Sequence, residues 1–220
     1  MEKRSVLARI EEVGIIPVVR VESGDLAIAV AEVIRDSGIP ILEITMTVPD
    51  AVKVIEKLSN RYGEDVLIGA GTVLNPETAA SCINAGARFV VSPVLNFQTV
   101  ELCKNHSIAV FPGGLTPTEV FSAWEAGADA VKIFPCNMVG GAKYLRALKA
   151  PLPQINLIPT GGVSLSTASD LIAAGALALG VGSELVNMEA IKRGDFETVA
   201  ATALKFVATV RQARSREVVK

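Results

Sequence analysis

The sequence predicts a single (β/α)8 barrel with an extra N-terminal helix, running as one domain over residues 1–220. Three observations predict it. Short apolar runs of strand length occur eight times and begin roughly every 20–26 residues, which leaves room for a helix and two loops between parallel strands. Amphipathic stretches of helical period lie between those runs. The joins also repeat, with glycine where a helix must stop just before a strand. Eight strand–helix units favour a closed barrel over a doubly wound open sheet, which would need fewer strands or a switch in pattern.

The elements follow in order. Residues Met1 to Ile10 mix charges into apolar positions at helical spacing and form the extra helix. Strands are expected at Ile15–Val19, Ile41–Thr45, Leu67–Thr72, Phe89–Pro93, Ala109–Gly113, Ala130–Pro135, Asn156–Gly161 and Ala178–Ser183. Leu26–Asp36, Glu77–Asn84 and Glu119–Glu125 read as amphipathic helices. Ser37-Gly38-Ile39, Ala85-Gly86-Ala87, Ala126-Gly127-Ala128 and Ala174-Gly175-Ala176 each close a helix, with glycine able to take positive φ. Thr116-Pro117-Thr118-Glu119 reads as a capping box with proline at the first helical position. The charged tail Arg211–Lys220 is expected to be the solvated end of the last helix.

Composition excludes several classes of function. Half of the 220 residues are apolar, enough for a large core, and the net charge of −2 leaves no basic footprint for nucleic acid. No signal-peptide core is visible near the N-terminus, and no uninterrupted apolar stretch is long enough to span a bilayer, so a cytoplasmic location without membrane attachment is expected. Cys82, Cys103 and Cys136 form no CxxC pair and no metal spacing, and an odd, sparse count suits a reducing compartment. A protein acting on a small molecule is the natural reading. His106 is the only histidine. Active sites of such barrels lie at the C-terminal ends of the strands. His106 precedes the fifth strand and so falls at the opposite, stabilising end. Cys136 follows the sixth strand but has no histidine base nearby in sequence, and reads as a small buried filler.

Two residues break the apolar pattern of their strands. Lys132 lies inside Ala130-Val-Lys-Ile-Phe-Pro135, and Glu43 inside Ile41-Leu-Glu-Ile-Thr45. Alternation puts Val131 and Ile133 on one face of the strand and Lys132 and Phe134 on the other. The outer face packs against helices, so Lys132 and Glu43 are expected to point inward. A charge there costs several kcal/mol unless paired, so a buried structural ion pair is the plain alternative to a functional role. Burial also disfavours the ammonium form, and a neutral amine is what Schiff-base chemistry requires. A carboxylate alongside can shuttle the protons of carbinolamine formation, dehydration and carbon–carbon cleavage. The functional reading is the better supported, because both residues occupy strand positions that apolar packing would otherwise fill.

Other strand ends carry anion-binding parts. Thr160-Gly161-Gly162-Val163 ends the seventh strand, and Val181-Gly182-Ser183 the eighth. Backbone N–H groups at such turns bind phosphate, commonly after strands seven and eight. Arg20 ends the first strand and could clamp a carboxylate or phosphate, or serve only as a surface charge. Thr72 and Pro93 end the third and fourth strands.

With these residues in hand, the chain resembles the 2-keto-3-deoxy-6-phosphogluconate (KDPG) aldolases, also called KHG/KDPG aldolases, over nearly its whole length. The segments that carry the resemblance are Ile16-Pro-Val-Val-Arg20, Leu42-Glu-Ile-Thr45, Ile68-Gly-Ala-Gly-Thr-Val73, Val91-Ser-Pro93, Phe111-Pro-Gly113, Thr116-Pro-Thr-Glu119, Val131-Lys-Ile-Phe-Pro135, Ile158-Pro-Thr-Gly-Gly-Val163 and Val181-Gly-Ser183. The resemblance implies a homotrimer of (β/α)8 barrels that cleaves a phosphorylated 2-keto acid with no metal or organic cofactor. It implies Lys132 as the Schiff-base lysine, Glu43 as the general acid/base, and Thr72, Pro93, Gly161, Gly162 and Ser183 in the substrate site, with Thr160, Gly182 and Arg20 beside them. Many relatives carry arginine where this sequence has Thr47, and there it holds the substrate carboxylate. Thr47 cannot supply that charge, and Arg20 is the candidate replacement. A sugar-phosphate epimerase or isomerase on a similar barrel is the first rival, since it too can use a Lys–Glu pair, without a covalent imine. A barrel that has lost activity and serves as a binding protein is the second.

Overall fold

The chain alternates apolar strands with amphipathic helices, and the strands lie side by side and parallel. The computed structural model describes residues 1–217, so the last three residues of the charged tail, 218–220, lie outside the described residues. In chain order the elements are α1 (Lys3–Val13), β1 (Ile15–Val19), α2 (Gly24–Asp36), β2 (Ile41–Thr45), α3 (Ala51–Tyr62), β3 (Leu67–Gly71), α4 (Pro76–Asn84), β4 (Phe89–Val91), α5 (Phe97–Asn105), β5 (Ala109–Phe111), α6 (Pro117–Glu125), β6 (Val131–Ile133), α7 (Gly141–Lys149), β7 (Leu157–Pro159), α8 (Leu165–Ile172), β8 (Leu179–Val181), α9 (Met188–Lys192) and α10 (Phe196–Glu217).

Six strands form one curled parallel sheet in the order β5-β4-β3-β2-β1-β8, and β6 pairs with β7 in a separate two-stranded ladder. Single parallel bridges lie between these units, Gly113 to Lys132 on one side and Leu157 to Ala176 and Thr160 to Gly180 on the other. The α/β character and parallel order agree with the sequence. The eight-stranded ladder expected there is resolved as six strands plus two.

The first two strands have the expected bounds, whereas the later six are shorter. The third stops at Gly71 because Thr72 turns to a φ of 58° and leaves the extended region. Pro93, Pro112 and Pro135 lie within or at the end of the longer ranges expected for β4, β5 and β6, and proline has no N–H to extend a ladder. α2 starts two residues earlier than expected, at Gly24, because Ser23 accepts from the Leu26 N–H as its N-cap. The glycines expected to end helices do so: Gly38, Gly86, Gly127 and Gly175 have φ between 89° and 101°. Thr116 and Glu119 close the expected capping box.

Two apolar layers hold the fold. One fills the space between sheet and helices and includes Val131 and Ile133. The other lies inside the curl, where Ile16, Ile41, Leu67, Phe89, Phe111 and Ile158 meet Val6 and Ile10 of α1. The rings of Phe89 and Phe111 are 5.8 Å apart, and Gly69 gives the first of them room, since a Cβ there would come within 2.2 Å of it. Arg214 of α10 donates to the backbone oxygens of Glu12 at 3.0 Å and Leu177 at 2.7 Å, and Lys3 pairs with Asp129 at 2.9 Å. α1 therefore covers the N-terminal ends of the strands, and the opposite ends remain for a site. Among the described residues no helix is long and apolar enough to cross a membrane.

Candidate active site

Lys132 is held by its neighbours' backbones. Its N–H donates to the Pro112 carbonyl at 2.9 Å, and its carbonyl accepts from Gly114 at 3.0 Å. Alternation along β6 sends Val131 and Ile133 into the helix-facing core and Lys132 to the other face, as expected. The side chain is 5% exposed, and Nζ lies 5.3 Å from the centre of the Phe134 ring.

Glu43 sits in β2, in register with Val18 of β1 and Gly69 of β3. It is 2% exposed, and its Oε1 is buried with no hydrogen-bond partner. Burial pushes its carboxyl above the ordinary carboxylate range, an effect opposed by the positive charges of Lys132 and Arg20. It is not closed into a salt bridge with Lys132, so the plain reading of a tight structural ion pair lacks its main feature. The carboxyl fits where it does because residue 71 is glycine: a Cβ there would fall 2.0 Å from Oε1.

A cavity of about 570 Å³ opens at the C-terminal ends of the strands, and its walls include Lys132, Arg20, Thr47, Thr72, Pro93, Thr160, Gly161, Gly162, Gly182 and Ser183. Lys132 and every substrate-site candidate named in the sequence therefore face one space, and the charges of Lys132 and Arg20 act on Glu43 beside it. Thr72 is a β-branched residue at positive φ, a costly conformation of the kind that clusters at functional sites. Gly161 and Gly162 take φ of 90° and 68° in succession. A Cβ on Gly162 would meet Asn137 at 2.4 Å, so the turn needs glycine for space as well as for backbone angle. Thr160 is 7% exposed, with its hydroxyl against Gly180, where a Cβ would come within 2.2 Å.

His106 is exposed at the C-terminal cap of α5, at the end of β5 remote from the cavity. Cys136 is buried, and burial pushes its thiol up to about 11, which suits an inert filler. Sequence reasoning missed Val18, Val186 and Met188 in the cavity wall. It noted Phe134 only as a residue sharing the face of Lys132. Met188 starts α9 beyond the last strand, and no strand-end rule could have found it.

A buried amine and an unpartnered carboxyl beside a small-molecule cavity, at the C-terminal ends of parallel strands, define a class of α/β enzyme sites. The model of the KDPG and KHG aldolase family matches residues 6–202. A 2-dehydro-3-deoxy-phosphogluconate aldolase of Treponema pallidum (strain Nichols) is 35% identical over 197 residues, 90% of this chain and 93% of that protein. A 2-dehydro-3-deoxy-6-phosphogalactonate aldolase of Escherichia coli (strain K12) is 34% identical over 200 residues, 90% of this chain and 95% of that one. The solved KDPG aldolase of Legionella pneumophila, with pyruvate captured at low pH as a covalent carbinolamine intermediate, superposes with a TM-score of 0.83 at 30% identity and covers 90% of this chain and 96% of its own. The chain belongs to the KDPG and KHG aldolase family.

Proposed function

We infer that the protein is a carbon–carbon lyase, a class I aldolase that cleaves 2-keto-3-deoxy-6-phosphogluconate to pyruvate and glyceraldehyde 3-phosphate. The same chemistry on 4-hydroxy-2-oxoglutarate would give pyruvate and glyoxylate. The observation that carries this reading is Lys132, a buried amine in the wall of a cavity beside the unpartnered carboxyl of Glu43, in a chain of this family.

In this reading the Lys132 amine adds to the C2 carbonyl of the keto acid and forms a carbinolamine. Glu43, directly or through a water, delivers the proton with which hydroxide leaves as water, and an imine remains. The C4 hydroxyl gives up its proton, the C3–C4 bond breaks, and its electron pair moves toward the imine nitrogen. Glyceraldehyde 3-phosphate departs and leaves an enamine, which takes a proton at C3. Water then hydrolyses the imine, releasing pyruvate and restoring the amine. Glu43 fits this traffic because burial raises its carboxyl above the ordinary range, which lets it hold a proton and return it. Gly161, Gly162, Gly182 and Ser183 would receive the phosphate through backbone N–H groups and one hydroxyl. Arg20 would face the carboxylate, with Thr47, Thr72, Pro93 and Thr160 completing the pocket.

The single parallel bridges beside β6 and β7 support a closed eight-stranded barrel, and a helix-facing apolar core that draws on residues from Ile15 to Ala213 supports one domain over residues 1–220. A homotrimer is supported by large apolar side chains left exposed on one protomer, among them Phe97, Phe121, Trp124 and Met138. Three free, buried cysteines support a cytoplasmic location. The test is pyruvate release from the phosphorylated keto acid by the purified protein and by Lys132→Arg. Turnover in the first and none in the second is expected, since a guanidinium stays protonated and cannot attack a carbonyl. Undiminished turnover in Lys132→Arg, or epimerisation without pyruvate, would overturn the reading.

A further inference from the structure

Two threonine hydroxyls meet at the mouth of β2, and only one arrangement of their protons satisfies both contacts. The Thr45 hydroxyl lies 3.1 Å from the Val19 carbonyl, which can only accept, so Thr45 donates there. The same hydroxyl lies 2.7 Å from that of Thr47. A hydroxyl has one proton, and Thr45 has already placed it, so Thr47 donates to Thr45. Thr45 is fully buried, and Val19 belongs to the adjacent strand, which leaves the donor little freedom to turn. Thr47 lines the cavity. With its own proton committed, its oxygen has only lone pairs for whatever occupies the cavity.

We propose that Thr45 is a positioning residue that fixes the Thr47 hydroxyl as a hydrogen-bond acceptor, so that this corner of the cavity binds a hydroxyl of the substrate and turns its carboxylate away. The inference rests on the aldolase reading and deepens it. A carboxylate has no proton to give, and the Thr47 lone pairs turn a partial negative charge toward it. A substrate hydroxyl can donate and is accepted. Arg20, which follows β1 and lines the same cavity, offers only donors and is the natural partner for the carboxylate. The two neighbouring strand ends thus divide the recognition of a hydroxy-keto acid between an acceptor and a donor.

The test compares two ligands on the intact protein. One is pyruvate, which carries the carboxylate and no hydroxyl, read as the concentration that half-saturates borohydride trapping. The other is the hydroxylated phosphorylated keto acid, read as kcat/KM for cleavage. Thr45→Val removes the acceptor for Thr47 and frees its proton. The expected result is a fall of about three- to tenfold in kcat/KM for the hydroxylated substrate, the size of one hydrogen bond, with pyruvate half-saturation unchanged or lower. Thr45→Ser should restore both. Thr47→Val should show the same split, and Thr45→Val added to Thr47→Val should cost nothing more, because Thr45 acts only through Thr47. A Thr45→Val protein that weakens both ligands equally, or whose effect adds in full to that of Thr47→Val, would overturn the proposal in favour of simple packing. Should Thr45→Val fail to fold, Thr47→Val against Thr47→Ser decides: Ser retaining and Val losing hydroxyl selectivity supports the proposal, and equal behaviour overturns it. Failure of the unsubstituted protein to trap pyruvate would instead strike the aldolase reading itself.

Discussion

Substituting Gly71 by alanine tests whether the position of the Glu43 carboxyl, rather than its mere presence, drives proton transfer. A Cβ at residue 71 falls 2.0 Å from Glu43 Oε1, 2.5 Å from Cδ and 2.6 Å from Cγ. An ordinary contact is 3.4–4 Å, so the carboxyl must retreat by about 1.4 Å. The backbone at Gly71 has no positive φ, so alanine brings no conformational strain of its own and the collision is the whole perturbation. A misplacement of about 1 Å costs on the order of 10²-fold in rate, and overpacking of this kind costs about 1–3 kcal/mol in stability. Gly71→Ala should therefore fold, melt a few degrees lower, and show kcat reduced by about 10²-fold in a coupled assay of pyruvate release. Placed on Glu43→Gln, the same substitution should cost little further activity, because the group it displaces is already disabled. A folded Gly71→Ala protein with kcat near that of the parent would refute the argument. So would a full additional loss on the Glu43→Gln background.

Three other perturbations probe the remaining parts of the site. Glu43→Gln should slow turnover by about 10²–10⁴-fold and remove the acid limb of the pH–rate profile, which in the parent should lie above the ordinary glutamate range. Its stability effect has a definite sign. A carboxyl whose pKa is raised in the folded state supports folding at low pH and loses that support as pH rises through the raised value. Glu43→Gln should thus melt increasingly above the parent from acid to neutral pH, and a constant difference would contradict the raised value. Ser183→Glu should raise KM steeply for the phosphorylated substrate and much less for 4-hydroxy-2-oxoglutarate, since it puts a negative charge where phosphate is expected; equal damage to both moves the phosphate elsewhere. A preference for the gluconate-derived substrate over its galactonate epimer is expected, and Thr160→Val should reduce it by several-fold to about tenfold, read as the ratio of kcat/KM values; an unchanged ratio removes Thr160 from that choice.

Much of this was legible in the sequence for identifiable reasons. Lys132 and Glu43 stood out because a charge inside an apolar strand has few structural uses. Gly161-Gly162 and Gly182-Ser183 stood out because phosphate turns recur at those strand ends. The ends of β3 to β6 were less legible, because the strand-like pattern runs on after the ladder has stopped near a proline or at the positive φ of Thr72. The role of Gly71 was hidden, since it depends on how a side chain one strand away is turned. The direction of the hydrogen bond between Thr45 and Thr47 was hidden too, because it is set by the Val19 carbonyl, a backbone group on a neighbouring strand.

The covalent imine between Lys132 and the keto acid can be trapped and mapped. The protein is incubated with pyruvate and borohydride, digested, and mapped by mass spectrometry. Reduction freezes the imine as a stable amine, so the account predicts irreversible added mass on one peptide, at Lys132, and none in Lys132→Arg. Label on a different lysine, or no label while the protein still releases pyruvate, would contradict it.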